Sequence, residues 1–114
     1  MALVAKNSRF DLAVVVRLEG RVDGETAGDL THACQQSVQP GDRHMILDFT
    51  NVEYISSAGL SAVLGAGKQM SAQDGDLLIF GLNPRLKNVF TISGFSALFP
   101  LCESEQEAFA ECRE

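Results

Sequence analysis

The chain has 114 residues, and this length fits one compact domain. It carries 9 Lys and Arg against 15 Asp and Glu, and the resulting net charge of −6 argues against a nucleic acid as its main partner, because phosphate binding needs clustered basic side chains. Its longest uncharged run has 15 residues, which is too short for a membrane span of roughly 20 apolar residues.

The amino terminus and the cysteines indicate a cytoplasmic location. The first residues lack the basic segment and the long apolar stretch of a secretory signal. Cys34, Cys102 and Cys112 lie far apart, without the spacing of a zinc site or a redox pair, and this favours reduced thiols. We therefore expect a cytoplasmic protein with no metal ion and no cofactor.

Two strands are predicted near the amino terminus. Residues 2–6 are interpreted as a short edge strand. Residues 11–19 alternate between apolar and polar side chains, which predicts a half-buried strand that ends at Gly20. The polar face of this strand would carry Asp11, Arg17 and Glu19, and its buried face would carry Leu12, Val14, Val16 and Leu18.

A helix and another strand are predicted next. Apolar residues at helical spacing indicate a helix that begins near Ala27, with an Asp or Thr as its cap, and that stops before Pro40. Residues 44–49 are rich in β-forming side chains and predict the next strand. Asn51 and Glu53 are interpreted as part of a link that follows it.

The middle of the chain predicts a second helix and a buried strand. Helical spacing of apolar residues runs from Leu60 to Met70, and a cluster of turn residues over 73–76 ends it. Residues 77–80 form a continuous apolar run of strand length, which indicates burial on both faces.

The last third predicts two more helices around a short strand. Asn83-Pro84 begins a helix, because proline suits the first helical position, and Gly94 ends that helix. A short apolar strand is expected within residues 95–102. Residues 104–107 have the spacing of a capping box, with a serine and a glutamate that would begin the last helix.

This alternation of strands and helices predicts the fold class. Strand–helix–strand repeats require crossover connections and favour a parallel sheet with helices packed on it. We therefore expect an α/β fold, organised as a single domain over residues 1–114. It would contain a mixed, mainly parallel sheet of four to five strands and about four helices.

The strongest candidate for a functional site is the pair Ser56 and Ser57, which precedes the second helix. The first backbone N–H groups of a helix have no internal partner and attract negative charge. One of these serines could therefore cap the helix, which is the commoner role and contributes about 1 kcal/mol. Alternatively Ser57 could accept a phosphoryl group, with the small residues Ala58 and Gly59 leaving room for another protein to approach.

A serine hydrolase fits the sequence poorly. A nucleophile elbow needs glycine two residues before and two residues after its serine, whereas Ser57 has Ile55 before it and Gly59 after it. That fold also places its catalytic histidine after the serine, and both His32 and His44 precede Ser57. We therefore expect no enzymatic activity.

Other motifs have ordinary structural interpretations. The glycines of Gly65-Ala66-Gly67-Lys68 lie in a helical pattern, where close packing of helix on sheet explains them better than a phosphate-binding loop does. Asp23 and Asp48 lie near predicted strand ends and are first interpreted as turn or capping residues. The histidines have no metal-ligand partner at useful spacing, so no metal site is predicted.

Several segments together resemble one known family. They match the STAS domain of bacterial anti-sigma-factor antagonists in order and spacing from about residue 10 to the last helix. The segment that resembles the family most is Tyr54-Ile55-Ser56-Ser57-Ala58-Gly59-Leu60. The others are Gly20-Arg21-Val22-Asp23, Thr26-Ala27, Ile46-Leu47-Asp48-Phe49, Asn83-Pro84, Val89-Phe90 and Ser93-Gly94.

The resemblance implies a phosphoprotein that regulates transcription by exchanging partners. In that family the unmodified domain binds an anti-sigma factor that is also a serine kinase, and the sigma factor is released. The kinase phosphorylates a serine, which is Ser57 here, and a phosphatase later removes the phosphate. The resemblance implies that Asp23 lies near the acceptor. It also implies a partner-binding surface that contains Asp23, Thr26, Ser56, Ala58 and Gly59.

Two departures and two alternatives accompany this resemblance. Ser56 stands where the family often has Asp, and Ala58 stands where it often has Ser or Thr. The first departure removes a charge beside the acceptor and the second removes a hydroxyl, and both bear on which kinase would recognise the site. The same fold could instead serve as an accessory subunit of a lipid-transporting ABC permease, or as a regulatory domain of a larger protein. An exposed edge at the first strand could pair with another copy, but a monomer is the simpler expectation.

Overall fold

A computed structural model describes residues 3–112 of the chain as a five-stranded sheet with four helices and one short 3-10 turn. The sheet has the order β1-β2-β3-β4-β5, with β1 antiparallel to β2 and all other neighbours parallel, so the predicted α/β fold is confirmed. In chain order the elements are β1 Val4–Phe10, β2 Ala13–Val22, α1 Ala27–Ser37, β3 His44–Ile55, α2 Ser57–Ser71, β4 Asp76–Phe80, α3 Pro84–Ile92, the 3-10 turn Phe95–Ala97, β5 Leu101–Cys102 and α4 Glu105–Glu111.

Helices cover both faces of the sheet. Helices α1, α2 and α3 bury the larger core on one face, where Leu30, Met70 and Phe90 are fully inaccessible. On the other face, α4 places Ala108 over a smaller cluster that includes Val15. Within residues 3–112, no helix is both long enough and apolar enough to cross a membrane.

The first two strands differ from the prediction at both ends. The edge strand is confirmed and runs on to Phe10, while Ala2 lies outside the described residues. Asp11 and Leu12 form the tight turn between β1 and β2, so Leu12 is 53% exposed and does not belong to the core. Strand β2 continues past Gly20, because an irregularity in its pairing with β3 resets the register there.

Strand β2 is also buried on both faces, which its alternating pattern did not predict. Val15 is fully buried beneath α4, although it lies on the face that was expected to meet solvent. Arg17 shares that face, and its guanidinium lies 2.9 Å from the carboxylate of Glu105 on α4 and 3.1 Å from that of Asp48. The hydrogen bond to Glu105 is the chief reason that the pKa of Arg17 is raised.

Strand β3 is twice as long as the segment predicted from sequence. It includes Asn51 and Glu53, which were interpreted as a link. Asp48 therefore lies inside the strand and not near its end as expected. Its carboxylate binds Arg17 and also accepts the N–H of Thr50 at 2.9 Å beside an irregularity in the register, so it caps backbone within the strand. The long strand carries the chain directly to the start of α2.

The predicted helix starts are largely confirmed. Asn83 caps α3, since its side-chain oxygen accepts a hydrogen bond from the N–H of Leu86 at 2.8 Å. Ser104 caps α4 by accepting from the N–H of Glu107 at 3.1 Å. The Glu107 carboxylate reaches the N–H of Glu103 and not that of Ser104, so the capping box is displaced by one residue.

The glycines of α2 serve different purposes. A Cβ at Gly67 would lie 2.5 Å from the ring of Phe99, in the segment that precedes β5. Gly67 therefore leaves room for the ring of Phe99. The prediction that this glycine allows close packing of the helix on the sheet is wrong. Gly65 is exposed and has open space around its missing side chain, so no packing explains it.

Candidate functional site

The junction of β3 and α2 assigns different positions to the two candidate serines. Ser56 has an extended backbone and is the N-cap of α2, and its hydroxyl accepts a hydrogen bond from the N–H of Gly59 at 3.2 Å. Ser57 is the first helical residue and is exposed. The helix cap is therefore supplied without the hydroxyl of Ser57.

Ser57 lies at the positive end of a 15-residue helix. None of the hydrogen bonds formed among residues 3–112 involves its hydroxyl. Ala58 beside it is also exposed and offers little bulk. A negatively charged group on Ser57 would be accessible to another protein and would meet the favourable end of the helix dipole.

Gly59 allows α2 to begin directly against the ends of β2 and β3. A Cβ at this position would lie 2.6 Å from Cγ1 of Ile55 and 2.9 Å from the carbonyl oxygen of Val22. The same carbonyl accepts a hydrogen bond from the N–H of Ser56 at 2.8 Å. The close approach and this hydrogen bond fix the orientation of the serine pair relative to the sheet.

The loop between β2 and α1 places Asp23 and Thr26 at the same end of the sheet. Val22 pairs with Ile55, so Asp23 and Ser56 are the next residues after two paired positions. Thr26 is 3% exposed, and its hydroxyl donates to the carbonyl oxygen of Arg21 at 2.7 Å. Thr26 is the N-cap residue of α1, but its side chain does not cap the helix as predicted.

The carboxylate of Asp23 is held in its charged form by its own loop. It accepts hydrogen bonds from the N–H groups of Glu25 at 3.0 Å and Thr26 at 3.2 Å. Burial alone would raise the pKa of Asp23, but these hydrogen bonds, together with the Thr26 hydroxyl and the charge of Arg21, lower it below its ordinary value. Asp23 is therefore ionised at neutral pH.

Arg21 and Tyr54 form an exposed pair at this edge, which the sequence did not reveal. They are opposite each other on β2 and β3, and the guanidinium carbon of Arg21 lies 4.4 Å from the centre of the Tyr54 ring. Tyr54 remains 39% exposed. The pairing depends on the irregularity between Gly20 and Arg21, for which an alternating pattern gives no signal.

The histidines lie away from the serine pair. His44 begins β3, at the opposite end from Ser57, and its Nδ1 lies 2.7 Å from a carboxylate oxygen of Asp76. His32 is exposed on α1. In the part of the chain that the structure describes, no group of three or more His, Cys, Asp or Glu side chains could hold a metal ion.

The cysteines are predicted to react slowly in the folded protein. Burial raises the pKa of Cys34 to about 12, and burial together with nearby acidic groups raises those of Cys102 and Cys112 to about 11. At pH 8 Cys102 and Cys112 should therefore react with iodoacetamide on the order of 100-fold more slowly than in the unfolded chain, and Cys34 on the order of 1,000-fold more slowly, because only the thiolate reacts. Mass spectrometry of timed samples with and without urea measures this difference. Equal rates in both samples would contradict the burial of these thiols.

Comparisons with known proteins agree with the fold and identify the family. The family model of the STAS domain matches residues 4–108. BtrV of Bordetella bronchiseptica, a proposed anti-sigma factor antagonist, is 36% identical over 102 residues, which cover 90% of this chain and 88% of BtrV.

Solved structures show the same architecture. An anti-sigma factor antagonist from Mycobacterium paratuberculosis superposes with a TM-score of 0.88 at 21% identity, covering 98% of this chain and 95% of that one. The Bacillus cell fate determinant SpoIIAA in its phosphorylated form superposes with a TM-score of 0.73 at 22% identity, covering 96% of this chain and 100% of SpoIIAA. The matched family model and the relative BtrV together show that this chain belongs to the STAS domain family of anti-sigma factor antagonists.

Proposed function

We propose that this chain is an anti-sigma factor antagonist that exchanges partners when Ser57 is phosphorylated. Unmodified, it binds an anti-sigma factor that is also a serine kinase, and the sigma factor becomes free to direct transcription. Phosphorylation of Ser57 releases the anti-sigma factor, and a phosphatase restores binding. The observation that carries this proposal is the exposed Ser57 hydroxyl at the start of α2, beside a cap supplied by Ser56.

The electrostatics of the site support such a switch. A phosphate carries about −1.5 to −2 charges at pH 7. The start of α2 stabilises this charge, so phosphorylation would leave the domain folded. Asp23 follows the paired strand end and is already ionised, so the modified surface would carry concentrated negative charge. A partner that fits the unmodified surface closely would be repelled.

The predicted partner-binding residues divide by their exposure. Ser56 and Asp23 are partly exposed and Ala58 is exposed, so they can contact a partner directly. Thr26 and Gly59 are buried, and they would act by holding the loop and the helix start in place. Partner binding should therefore be sensitive to both groups. Only substitutions at Ala58 should change specificity without changing stability, because Ser56 also caps α2 and Asp23 also holds its own loop.

The relatives give this proposal independent support. BtrV is described by name as an antagonist of an anti-sigma factor. SpoIIAA, which shares the fold, has been solved in a phosphorylated form. In this scheme the chain is the substrate of a kinase, and it catalyses no reaction of its own.

Phosphorylation by a kinase-type anti-sigma factor from the source organism tests the proposal. Incubation with ATP should add one phosphate, and peptide mapping should locate it at Ser57. The variant Ser57→Ala should remain unmodified. Ser61→Ala is the matched control, because Ser61 is exposed one turn further along α2 and should not affect the reaction. A phosphate on another residue, or co-purification with a permease in place of an anti-sigma factor, would contradict the proposal.

A further inference from the structure

Strand β1 leaves one edge of the sheet unpaired among the described residues. The strand has seven residues, Val4–Phe10, and only β2 pairs with it. All seven residues are exposed or partly exposed. Helix α1 contacts one face of the strand and the Phe10 ring packs against Phe109 of α4, but nothing in residues 3–112 pairs with its outer edge. An uncovered edge of this length presents free backbone groups to another strand.

The hairpin geometry indicates which backbone groups face outward. Phe10 pairs with Ala13 across a two-residue turn, and such flanking residues exchange hydrogen bonds within the hairpin. Hydrogen bonding in an antiparallel ladder alternates along the strand. The N–H and C=O groups of Ala5, Asn7 and Arg9 therefore point away from β2.

We propose that β1 pairs antiparallel with β1 of a second copy of this chain, about a two-fold axis at Asn7. In this register Asn7 pairs with Asn7 of the second copy, and Ala5 pairs with Arg9 on either side. Each of these pairs consists of outward-facing residues, and each can exchange two backbone hydrogen bonds. The two sheets then join into one continuous sheet. This inference does not rest on the proposed function.

The side chains of β1 complement each other in this register. Val4 and Phe10 are 43% and 49% exposed in the single chain, and the pairing places each directly opposite the other. Ser8 lies opposite Lys6 of the second copy, so a small uncharged side chain faces each ammonium group. Arg9 does not obstruct the edge, because its guanidinium binds Asp42 and the carbonyl oxygen of Ser37 in its own chain.

Neighbouring registers are less favourable. An axis at Lys6 would place two ammonium groups directly opposite each other, which destabilises a strand pair. An axis at Ser8 would leave Val4 without a partner and would place Phe10 opposite Lys6. The axis at Asn7 is thus the register that uses all seven residues of the strand and avoids a direct clash of charges.

The interface is small, and it leaves the serine pair accessible. Pairing of one short strand should bury less than the roughly 1,200 Å² typical of stable complexes, so the dimer should be weak and concentration-dependent. The antiparallel arrangement directs the carboxyl ends of the two β2 strands in opposite directions. Each Ser57 would therefore remain open to its own partner.

Sedimentation velocity with the variant Asn7→Pro tests the pairing. The wild type should change from monomer to dimer as its concentration rises from about 10 µM to about 1 mM. Asn7→Pro should remain a monomer over the same range. The proline removes only an outward N–H, so the hairpin and the circular dichroism spectrum should be preserved. Asn7→Ala keeps the N–H and should dimerise like the wild type. A monomeric wild type at about 1 mM, or an unchanged dimer of Asn7→Pro, would overturn the proposal.

Cysteine cross-linking tests the register. Directly opposite residues in a hydrogen-bonded pair have Cα atoms about 5.5 Å apart, which a disulfide can span. Oxidised glutathione should therefore convert most Asn7→Cys protein into a covalent dimer. In this register residue 5 lies opposite residue 9 of the second copy, so the two thiols of an Ala5→Cys dimer would be four residues apart along the strand. Ala5→Cys should therefore form no more covalent dimer than the wild type. Preferential cross-linking of Ala5→Cys, or none by Asn7→Cys, would refute this register.

Discussion

Replacing Ser57 with Asp is expected to weaken binding of the anti-sigma factor by roughly a hundredfold, or about 3 kcal/mol. The carboxylate places a charge at the exposed start of α2, beside the ionised Asp23 loop, where the partner must approach closely. Ser57→Ala removes only a hydroxyl that forms no hydrogen bond in residues 3–112, so it should bind within about threefold of the wild type. Titration calorimetry with the purified anti-sigma factor measures both constants.

Matched variants show whether the effect of Ser57→Asp on binding comes from the added charge, from its position on α2 or from unfolding of the domain. Ser57→Asn has nearly the same size as Asp but no charge, and it should retain most of the affinity. Ser61→Asp adds the same charge one turn further along α2 and should have a much smaller effect. An Asp at the first helical position is favourable for the helix, so the melting temperature of Ser57→Asp should not fall. Equal affinities of Ser57→Asp and Ser57→Ala would contradict the switch.

Helix boundaries could be predicted where the residue types at the boundary favour one local role, such as helix cap or first helical residue. Asn83-Pro84 combines an acceptor side chain with a residue that has no N–H to lose, and α3 begins there. The apolar run 77–80 is a strand buried on both faces, as β4 shows. These signals depend only on residues that are close in sequence, so they can be interpreted correctly without knowledge of the tertiary structure.

Features that depend on distant contacts could not be predicted. Val15 and Arg17 have a pattern typical of a half-exposed strand, because α4 that covers them lies about ninety residues further along the chain. The division of roles between Ser56 and Ser57 depends on a shift of one residue in the helix start, which sequence patterns do not resolve. The pairing of Arg21 with Tyr54 requires the irregular register of two strands.

Gly59→Ala is expected to destabilise the domain by about 2 kcal/mol and to lower its melting temperature by about 8 °C. The added Cβ would lie 2.6 Å from a side-chain carbon of Ile55 and 2.9 Å from the carbonyl oxygen of Val22. A side chain can rotate away, but the carbonyl belongs to the strand and also accepts the N–H of Ser56. The start of α2 must therefore move outward. Thermal unfolding followed by circular dichroism measures the loss.

Gly65→Ala in the same helix is the control, and it should change stability in the opposite direction. Gly65 is exposed, with nothing within 4 Å of the added Cβ, so only the backbone preference for helix changes. That preference favours Ala by about 1 kcal/mol. The contrast distinguishes close packing at the helix start from a general effect of glycine in α2. If both variants were stabilised, α2 would have to begin farther from Val22 than the structure places it, and Ser57 would lose the rigid support on which its proposed presentation to a kinase depends.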